Sequence, residues 1–450
     1  MPLILPGNVA SATADTQACS CRFDDGSSTQ MNKTISSTST TWTFSCWIKL
    51  NPTGTNQYLA SWDMGSGESL GIGIEASTNQ LFIYTTSTAA APKLYDGKLR
   101  DPSAWMNIVI KNSSGTITSY INGTQAETSI TGTALASGTL RIGCYTGSNY
   151  FYDGYMAEVV LIDGTAYSAD SFGEFDSDSP TIWKPKDVSG LTFGSDGFYL
   201  DFENSSNLGN DANGGTDFTE SNLAATDQTT DTPTNNFCTM NPLTQSEPAN
   251  SPTFAEGNCK ITMANFDTES VMATMGVTSG KWYWEIKGGW KTSNWGFGIE
   301  KASNSNVGFN VGYTATSYSF SQDGWKQFNS SGSQIDSGLS DGDIIGFALD
   351  LDNGHFNFSQ NGVWYNGSAS ESTTFDASNH DYTSLDFGSE FVMPTISAFG
   401  DTSITTEINF GNPPYANSSD AADENGYGAF EYAPPSGYYA LCTKNLAEFG

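Results

Sequence analysis

Short runs in which large apolar and small polar residues alternate, closed by glycine turns, limit what this 450-residue chain can fold into. Gly280–Lys287 sets Trp282, Trp284 and Ile286 against Tyr283, Glu285 and Lys287. Successive side chains of a strand point to opposite faces, so such a run has one apolar face. Trp42–Ile48 alternates in the same way, and Ile117–Ile121 leads into Asn122-Gly123. Asn353-Gly354 and Asn361-Gly362 repeat that dipeptide on either side of His355–Ser359, where Phe356 and Phe358 share a face. Asn-Gly suits a type I′ hairpin, whose two central residues both need positive φ. Helical periodicity is nearly absent, and the best short helix candidate is Ser168–Glu174. Many short strands without a βαβ rhythm define an all-β chain, built of sandwiches.

The alternating runs fall into two stretches, 22–185 and 251–412, each long enough to bury a core. The expected organisation is therefore two jelly-roll-like β-sandwich domains joined by an ordered connector. Residues 1–21 form a leading arm with an apolar stretch at Leu3-Ile4-Leu5, and residues 413–450 form a Pro- and Tyr-rich tail. The connector, 186–250, has no Lys or Arg after Lys186, yet Gly197–Phe202 inside it alternates like a strand. That pattern suits a segment packed on a neighbour better than a flexible linker. No period of 20–50 residues repeats, which argues against solenoids and propellers.

Charge narrows the function classes. The chain carries 17 Lys and Arg against 49 Asp and Glu, a net charge of −32. Nucleic-acid binding needs clustered cations to neutralise phosphates, and anionic membrane surfaces need the same, so neither is an expected partner. The imbalance is concentrated: residues 187–450 hold 7 basic and 33 acidic residues. Aromatic content of 13% separates the chain from disordered acidic proteins. The start, Met1–Asn8, lacks the basic and apolar regions of a secretory signal, and no run approaches a membrane span, so membrane insertion is not expected. Seven thinly spread Cys read as buried thiols rather than a disulfide framework. Folding in a cytosol is the expectation.

The first stretch resembles laminin-G or concanavalin A-like lectin domains. The resemblance rests on Thr43–Lys49, Trp105–Lys111, Thr118–Thr124, Leu140–Gly143 and Phe151–Ile162. The second resembles SPRY (B30.2-like) domains, through Ser279–Ile286, Trp295–Ile299, Asp341–Gly354, Phe356–Phe358, Met393-Pro394 and Glu407–Gly411. Met1–Val9, the phrases at Gly197–Phe202 and Asp227–Asn236, and Pro434–Tyr438 with Leu441–Leu446 resemble virion proteins of tailed phages, marine ones especially. The resemblance implies a phage tail-fibre or surface protein, assembled in the host cytoplasm and located in the virion. Its implied partners are other virion proteins, sister copies (a homo-oligomer, with trimers common in tail fibres) and a host cell-surface glycan or protein. A capsid decoration or knob protein without a receptor role is the alternative.

No chemistry-bearing motif stands out, and the chain is not expected to be an enzyme. His355 and His380 are the only histidines, which denies the first stretch a His-based triad. His355 reads as a surface residue of its strand. Glycoside hydrolases of the lectin-like fold set acids on alternate residues of a cleft strand. Glu174-Phe-Asp-Ser-Asp178 is the nearest match, but it reads as a solvated turn, leaving a polysaccharide hydrolase as the less favoured class. Laminin-G-like domains often bind calcium, so calcium is the one cofactor considered, with Asp63, Asp153 and Asp163 as candidate ligands. Aromatic rings beside polar groups suit glycans, which makes Tyr145, Asn149, Tyr150, Trp290 and Trp325 the candidate binding residues.

Overall fold

A computed structural model of the chain describes residues 4, 17–36, 38–65, 69–85, 93–131, 134–145, 149–245, 252–263, 269–289, 294–304, 310–368, 371–399 and 403–450. The chain divides into two compact units, one of Ala10–Asn235 with Ala255–Gly257, the other of Met1–Val9, Asn236–Phe254 and Asn258–Gly450. Among the described residues, Thr443–Phe449 is the one α-helix, and no helix is long and apolar enough to cross a membrane.

The first unit packs two antiparallel sheets face to face. One runs, in spatial order, Thr124–Thr131, Thr116–Ile121, Met106–Ser113, Trp42–Leu50, Gly154–Asp163, Ser20–Phe23 and Gln228–Thr229, with Phe198–Leu200 also paired to Gly154–Asp163. The other runs Thr219–Ser221, Gln30–Ile35, Gly138–Ile142, Gln57–Asp63, Ser69–Glu75, Gln80–Thr85 and Lys93–Lys98. Trp42, Phe44, Cys46 and Ile48 point into the core between the sheets, where Trp62 meets Trp42 and Phe44 at 6.1 and 6.0 Å. The opposite face of Trp42–Leu50 is buried too. There Trp47 packs with Trp105, Tyr155 and Ala157, and Lys49 pairs with Asp231 at 2.7 Å.

The segment read as a connector is shared between the units. Residues 186–235 supply three short strands to the two sheets of the first unit and bury Phe198, Leu200, Phe202, Leu208 and Phe218 in its core. From Asn236 onward the chain belongs to the second unit, where Phe237, Cys238 and Met240 are buried. The helix candidate Ser168–Glu174 is a single 3₁₀ turn, Ala169–Ser171, followed by the strand Gly173–Phe175. Extended backbone at Gly173 lets the Trp183 indole lie where a Cβ would stand, 2.3 Å from its Nε1.

The second unit is also a sandwich. Its larger sheet runs Thr253–Ala255, Lys260–Met263, Ile404–Asn409, Lys281–Gly288, Ile344–Asp350, His355–Gln360 and Val363–Trp364, with Tyr439–Ala440 added in parallel to Lys281–Gly288. Its smaller sheet runs Glu269–Met272, Val392–Phe399, Asn294–Lys301, Ser317–Ser321, Trp325–Phe328 and Ser331–Gln334. Trp282, Trp284 and Ile286 face the core, where Trp284 stacks on Phe347 at 5.2 Å. The polar-side residues of the same strand are covered by the stretch 413–450. Tyr283 meets Phe430 edge-on at 5.0 Å, and the Glu285 carboxylate accepts from the Glu431 and Tyr432 amides at 2.9 and 2.7 Å. Ile4 is buried in this core as well, its amide donating to the Thr274 carbonyl at 2.9 Å. The arm's apolar residue is thus engaged by its own chain.

Of the Asn-Gly pairs named above, two have positive φ at both residues: Asn122 (48°) with Gly123 (71°), and Asn361 (50°) with Gly362 (77°). At Asn353-Gly354 only the glycine is left-handed, at 70°. The Asp350 carboxylate there accepts from the Asn353 amide and side chain, which holds a four-residue turn in place of a two-residue one.

Candidate functional site

The outer face of the seven-stranded sheet of the first unit carries an aromatic platform. Leu70, Ile72, Ile74, Leu81 and Ile83 enter the core. Strand alternation therefore turns Gly71, Gly73, Phe82 and Tyr84 outward. A Cβ at Gly71 would stand 2.5 Å from the Tyr58 ring, and one at Gly73 would stand 2.6 Å from the Phe82 ring. The two glycines thus form a shallow bed on which Tyr58 and Phe82 lie, 5.0 Å apart and edge to face. Tyr145 covers Tyr58 at 4.6 Å and reaches Tyr84 at 6.1 Å and Tyr150 at 6.4 Å. Its hydroxyl lies 3.3 Å from that of Ser69.

Backbone hydrogen bonds position Tyr145 and Tyr150. The Tyr145 amide donates to the Asn149 carbonyl at 2.8 Å, and the Tyr150 carbonyl accepts from the Tyr58 amide at 3.2 Å. Tyr150 has φ of 54° and is 51% exposed. A bulky residue in the left-handed region is an uncommon and strained arrangement that clusters at ligand sites. Burial and the neighbouring phenols hold the Tyr58 hydroxyl above its ordinary pKa, and burial does the same for Tyr84. Both are neutral hydrogen-bonding groups at physiological pH. Tyr145, Asn149 and Tyr150 are thus brought together as the sequence suggested, while Tyr58, Phe82 and Tyr84 were missed. Their signal was present in the alternation of Gly71-Ile72-Gly73 and Leu81–Tyr84.

A second feature of this unit is a trio of carboxylates. Ligand oxygens of Asp24, Asp25 and Asp153 lie within 4.8 Å of one another. Asp153 is fully buried and Asp24 is 8% exposed. One oxygen of Asp153 and one of Asp24 are used by the protein: Asn51 Nδ2 donates to Asp153 Oδ2, and the Ser27 amide donates to Asp24 Oδ2, both at 2.8 Å. Asp153 Oδ1 and Asp24 Oδ1 are buried and receive no hydrogen bond. Burial, then the charges of Asp25 and Asp24, pushes the Asp153 carboxyl well above the usual range. Three hard oxygen donors with two unsatisfied buried atoms fit a calcium-like cation, which would lift that penalty. Asp24, Asp25 and Asp153 would hold it.

The expected set Asp63, Asp153 and Asp163 is corrected by this arrangement. Asp153 precedes the ten-residue strand Gly154–Asp163 and Asp163 ends it, which separates them by about 30 Å at strand rise. Asp63 is exposed at the end of Gln57–Asp63, whereas Gln57, at the strand's start, accepts from the Asp153 amide. Strand length keeps Asp153 away from both Asp63 and Asp163.

Residues 23–170 match the concanavalin A-like lectin/glucanases superfamily, and residues 281–409 match the SPRY domain. The chain joins a concanavalin A-like lectin domain to a SPRY domain. No curated protein matches the chain. Solved structures similar to it include the SPRY domain of human HERC1, at 17% identity over 38% of this chain and 96% of that one, with a TM-score of 0.27. The PSpry domain of TRIM65 is similar at 14% identity, covering 38% of this chain and 91% of that one, TM-score 0.28. The heptameric SAP-like pentraxin of Limulus polyphemus is similar at 14%, over 35% of this chain and 80% of that one, TM-score 0.29.

In the lectin-like unit, the acidic run at 174–178 is not the solvated turn expected: Glu174 and Phe175 end the strand Gly173–Phe175, and Asp176 is buried at the turn that follows. Asp176 accepts from the Asp178 and Ser179 amides, both at 2.9 Å, and Glu174 and Asp176 each lie 3.7 Å from Lys184. In the SPRY domain, Trp325 is 38% exposed, while Trp290 lies outside the described residues. His355 is half-buried rather than a free surface residue: its ring stacks on His380 at 3.7 Å. His380 Nδ1 lies 3.1 Å from Asn357 Oδ1. Burial and the neighbouring His355 lower the pKa of His380.

Proposed function

We propose that this protein is a non-enzymatic adhesin whose lectin-like domain holds a glycan on the platform of Tyr58, Tyr84, Tyr145 and Tyr150. The observation that carries the reading is the half-exposed Tyr150 ring, held in a left-handed backbone beside the phenols of Tyr58 and Tyr145. Aromatic faces take the C–H surfaces of a sugar, and phenolic hydroxyls, Ser69 and the Asn149 side chain supply directional contacts. The resemblance of the terminal and connecting phrases supports a position on the outside of a tailed-phage particle, as a tail fibre or surface adhesin. The ligand is then a host cell-surface glycan, or a protein that presents one. Sister copies and other virion proteins are the structural partners. The placing of Glu174 and Asp176 at one edge of the domain, each beside Lys184, supports the non-enzymatic reading.

The experiment is a glycan array probed with the full chain, repeated with Tyr150→Ala and Tyr145→Ala. Selective binding that falls tenfold or more in both variants supports the platform. Unchanged binding in both variants, or no binding to any surface glycan, refutes it. A second reading, capsid decoration without a receptor role, is favoured by the net charge of −32, which repels an anionic cell envelope. Imaging of whole particles separates the two, tail attachment favouring the adhesin and a shell position favouring decoration.

A further inference from the structure

We propose a second ligand site, in the SPRY domain, that takes a small organic cation: a free quaternary ammonium head group or a lysine side chain on another protein. It goes beyond the platform, lying in the other domain and using different groups, so either can fail without the other. A cavity of about 240 Å³ is lined by Tyr313, Ser321, Asp323, Trp325 and Gln327, among others. Tyr313 and Trp325 are each 38% exposed and Asp323 is exposed too, so all three are open to a molecule in the cavity. Two turns hold them there. The Gly324 amide donates to the Ser321 carbonyl at 2.9 Å, and the Trp325 amide donates to Ser321 Oγ at 3.2 Å. The Tyr313 amide donates to the Asn310 carbonyl at 3.0 Å, and the Tyr313 carbonyl accepts from Ser330 Oγ at 2.8 Å.

Charge decides the chemistry. Among the described residues, the Asp323 carboxylate is in no ion pair and accepts no hydrogen bond. The described lining has no Lys or Arg. Lys326 is turned to the opposite face of its strand, where Nζ donates to the Asp381 carbonyl at 2.7 Å and lies 5.6 Å from the centre of the Tyr382 ring. The wider field has the same sign, since residues 258–450 carry 7 Lys and no Arg against 22 Asp and Glu. A cation set over a Trp or Tyr face is drawn by the ring quadrupole, and the carboxylate beside it adds the opposite charge. A neutral sugar would use the rings but leave that charge uncompensated, and an anion would be repelled by it. A metal ion wants several oxygen ligands and gains nothing from two aromatic rings. The cavity falls just below the range of drug-sized pockets, which suits a single head group.

The full chain is titrated with choline, with lysine blocked at both backbone ends, with the same compound acetylated on Nζ, and with glucose. Calorimetry and saturation-transfer NMR read binding, and circular dichroism checks the fold of each variant. Choline, blocked lysine or both are expected to bind at roughly millimolar Kd, more weakly as salt is raised. Acetylated lysine and glucose are expected to bind tenfold or more weaker. Either cation supports the proposal, and the tighter of the two separates a free ammonium compound from a protein side chain. Asp323→Asn, which keeps the shape and removes the charge, and Trp325→Ala are each expected to weaken cation binding tenfold or more, while Tyr150→Ala leaves it unchanged. The proposal is overturned by the absence of cation binding, by acetylated lysine or glucose binding as tightly as the cations, or by cation binding that survives Asp323→Asn or Trp325→Ala.

Discussion

Replacing Lys49 by Met tests whether the stretch around Asp231 is a structural part of the lectin-like domain. Lys49 Nζ donates to Asp231 Oδ2 at 2.7 Å, and the side chains are 1% and 0% exposed. Trp105 Nε1 donates to Asp231 Oδ1 at 2.8 Å, and Ser20 Oγ to the Asp231 carbonyl at 2.6 Å. Lys49→Met keeps most of the side-chain volume beside Tyr155 but removes the cation that faces a buried carboxylate. Removing one partner of a buried ion pair costs about 3–5 kcal/mol, mostly the penalty of the unpaired charge. For a unit of this size, each kcal/mol shifts Tm by about 2–4 °C, which gives a fall of roughly 6–20 °C. Scanning calorimetry of the full chain reads it directly. Adding Asp231→Asn removes the stranded charge and is expected to recover much of the loss. A Tm within 2 °C of the parent in Lys49→Met would refute the reasoning, since it would mean that the segment leaves the sheet without cost.

The remaining expectations concern ions and protons. Calcium at a hundredfold excess over Kd stabilises by about 2.7 kcal/mol, and for the lectin-like domain that is a rise of roughly 5–10 °C, reversed by chelator. Asp25→Asn should abolish that rise, and a parent Tm indifferent to both calcium and chelator removes the site. In the SPRY domain, the folded pKa of His380 lies below its unfolded value of about 6.5. The unfolded chain then binds the extra proton, so this contribution to stability is present above that value and is lost as pH falls through it. The urea midpoint of the parent, relative to His380→Gln, is expected to decline between pH 7 and 5.5. A difference that stays flat across that interval counts against a neutral His380 in the folded state.

Local periodicity carries some of this structure and long-range pairing carries the rest. Trp282, Trp284 and Ile286 could be assigned to one apolar face from spacing alone, because the period of two belongs to the strand itself. So could the two type I′ turns and the shared face of Phe356 and Phe358, whose rings meet at 4.7 Å. Tyr145 and Tyr150 were legible as aromatic residues near a turn. Their platform was not, because Tyr58 reaches them only through the register of neighbouring strands and the absence of side chains at Gly71 and Gly73.

Alternation says that a strand has two faces and leaves open what covers the second. Thr43, Ser45 and Lys49 lie on the face of their strand opposite Trp42, Phe44, Cys46 and Ile48, yet all three are buried. Tyr283 and Glu285 likewise lie under residues from the 413–450 stretch. The same limit governs the cation candidates, since Asp24, Asp25 and Asp153 meet only because Ser20–Phe23 pairs with the start of Gly154–Asp163. By itself the sequence determined an all-β chain of two sandwiches, since alternation and left-handed turns are properties of a few neighbouring residues. Only the tertiary structure decided where each unit ends and which side chains share a site, because those depend on pairings between segments a hundred or more residues apart.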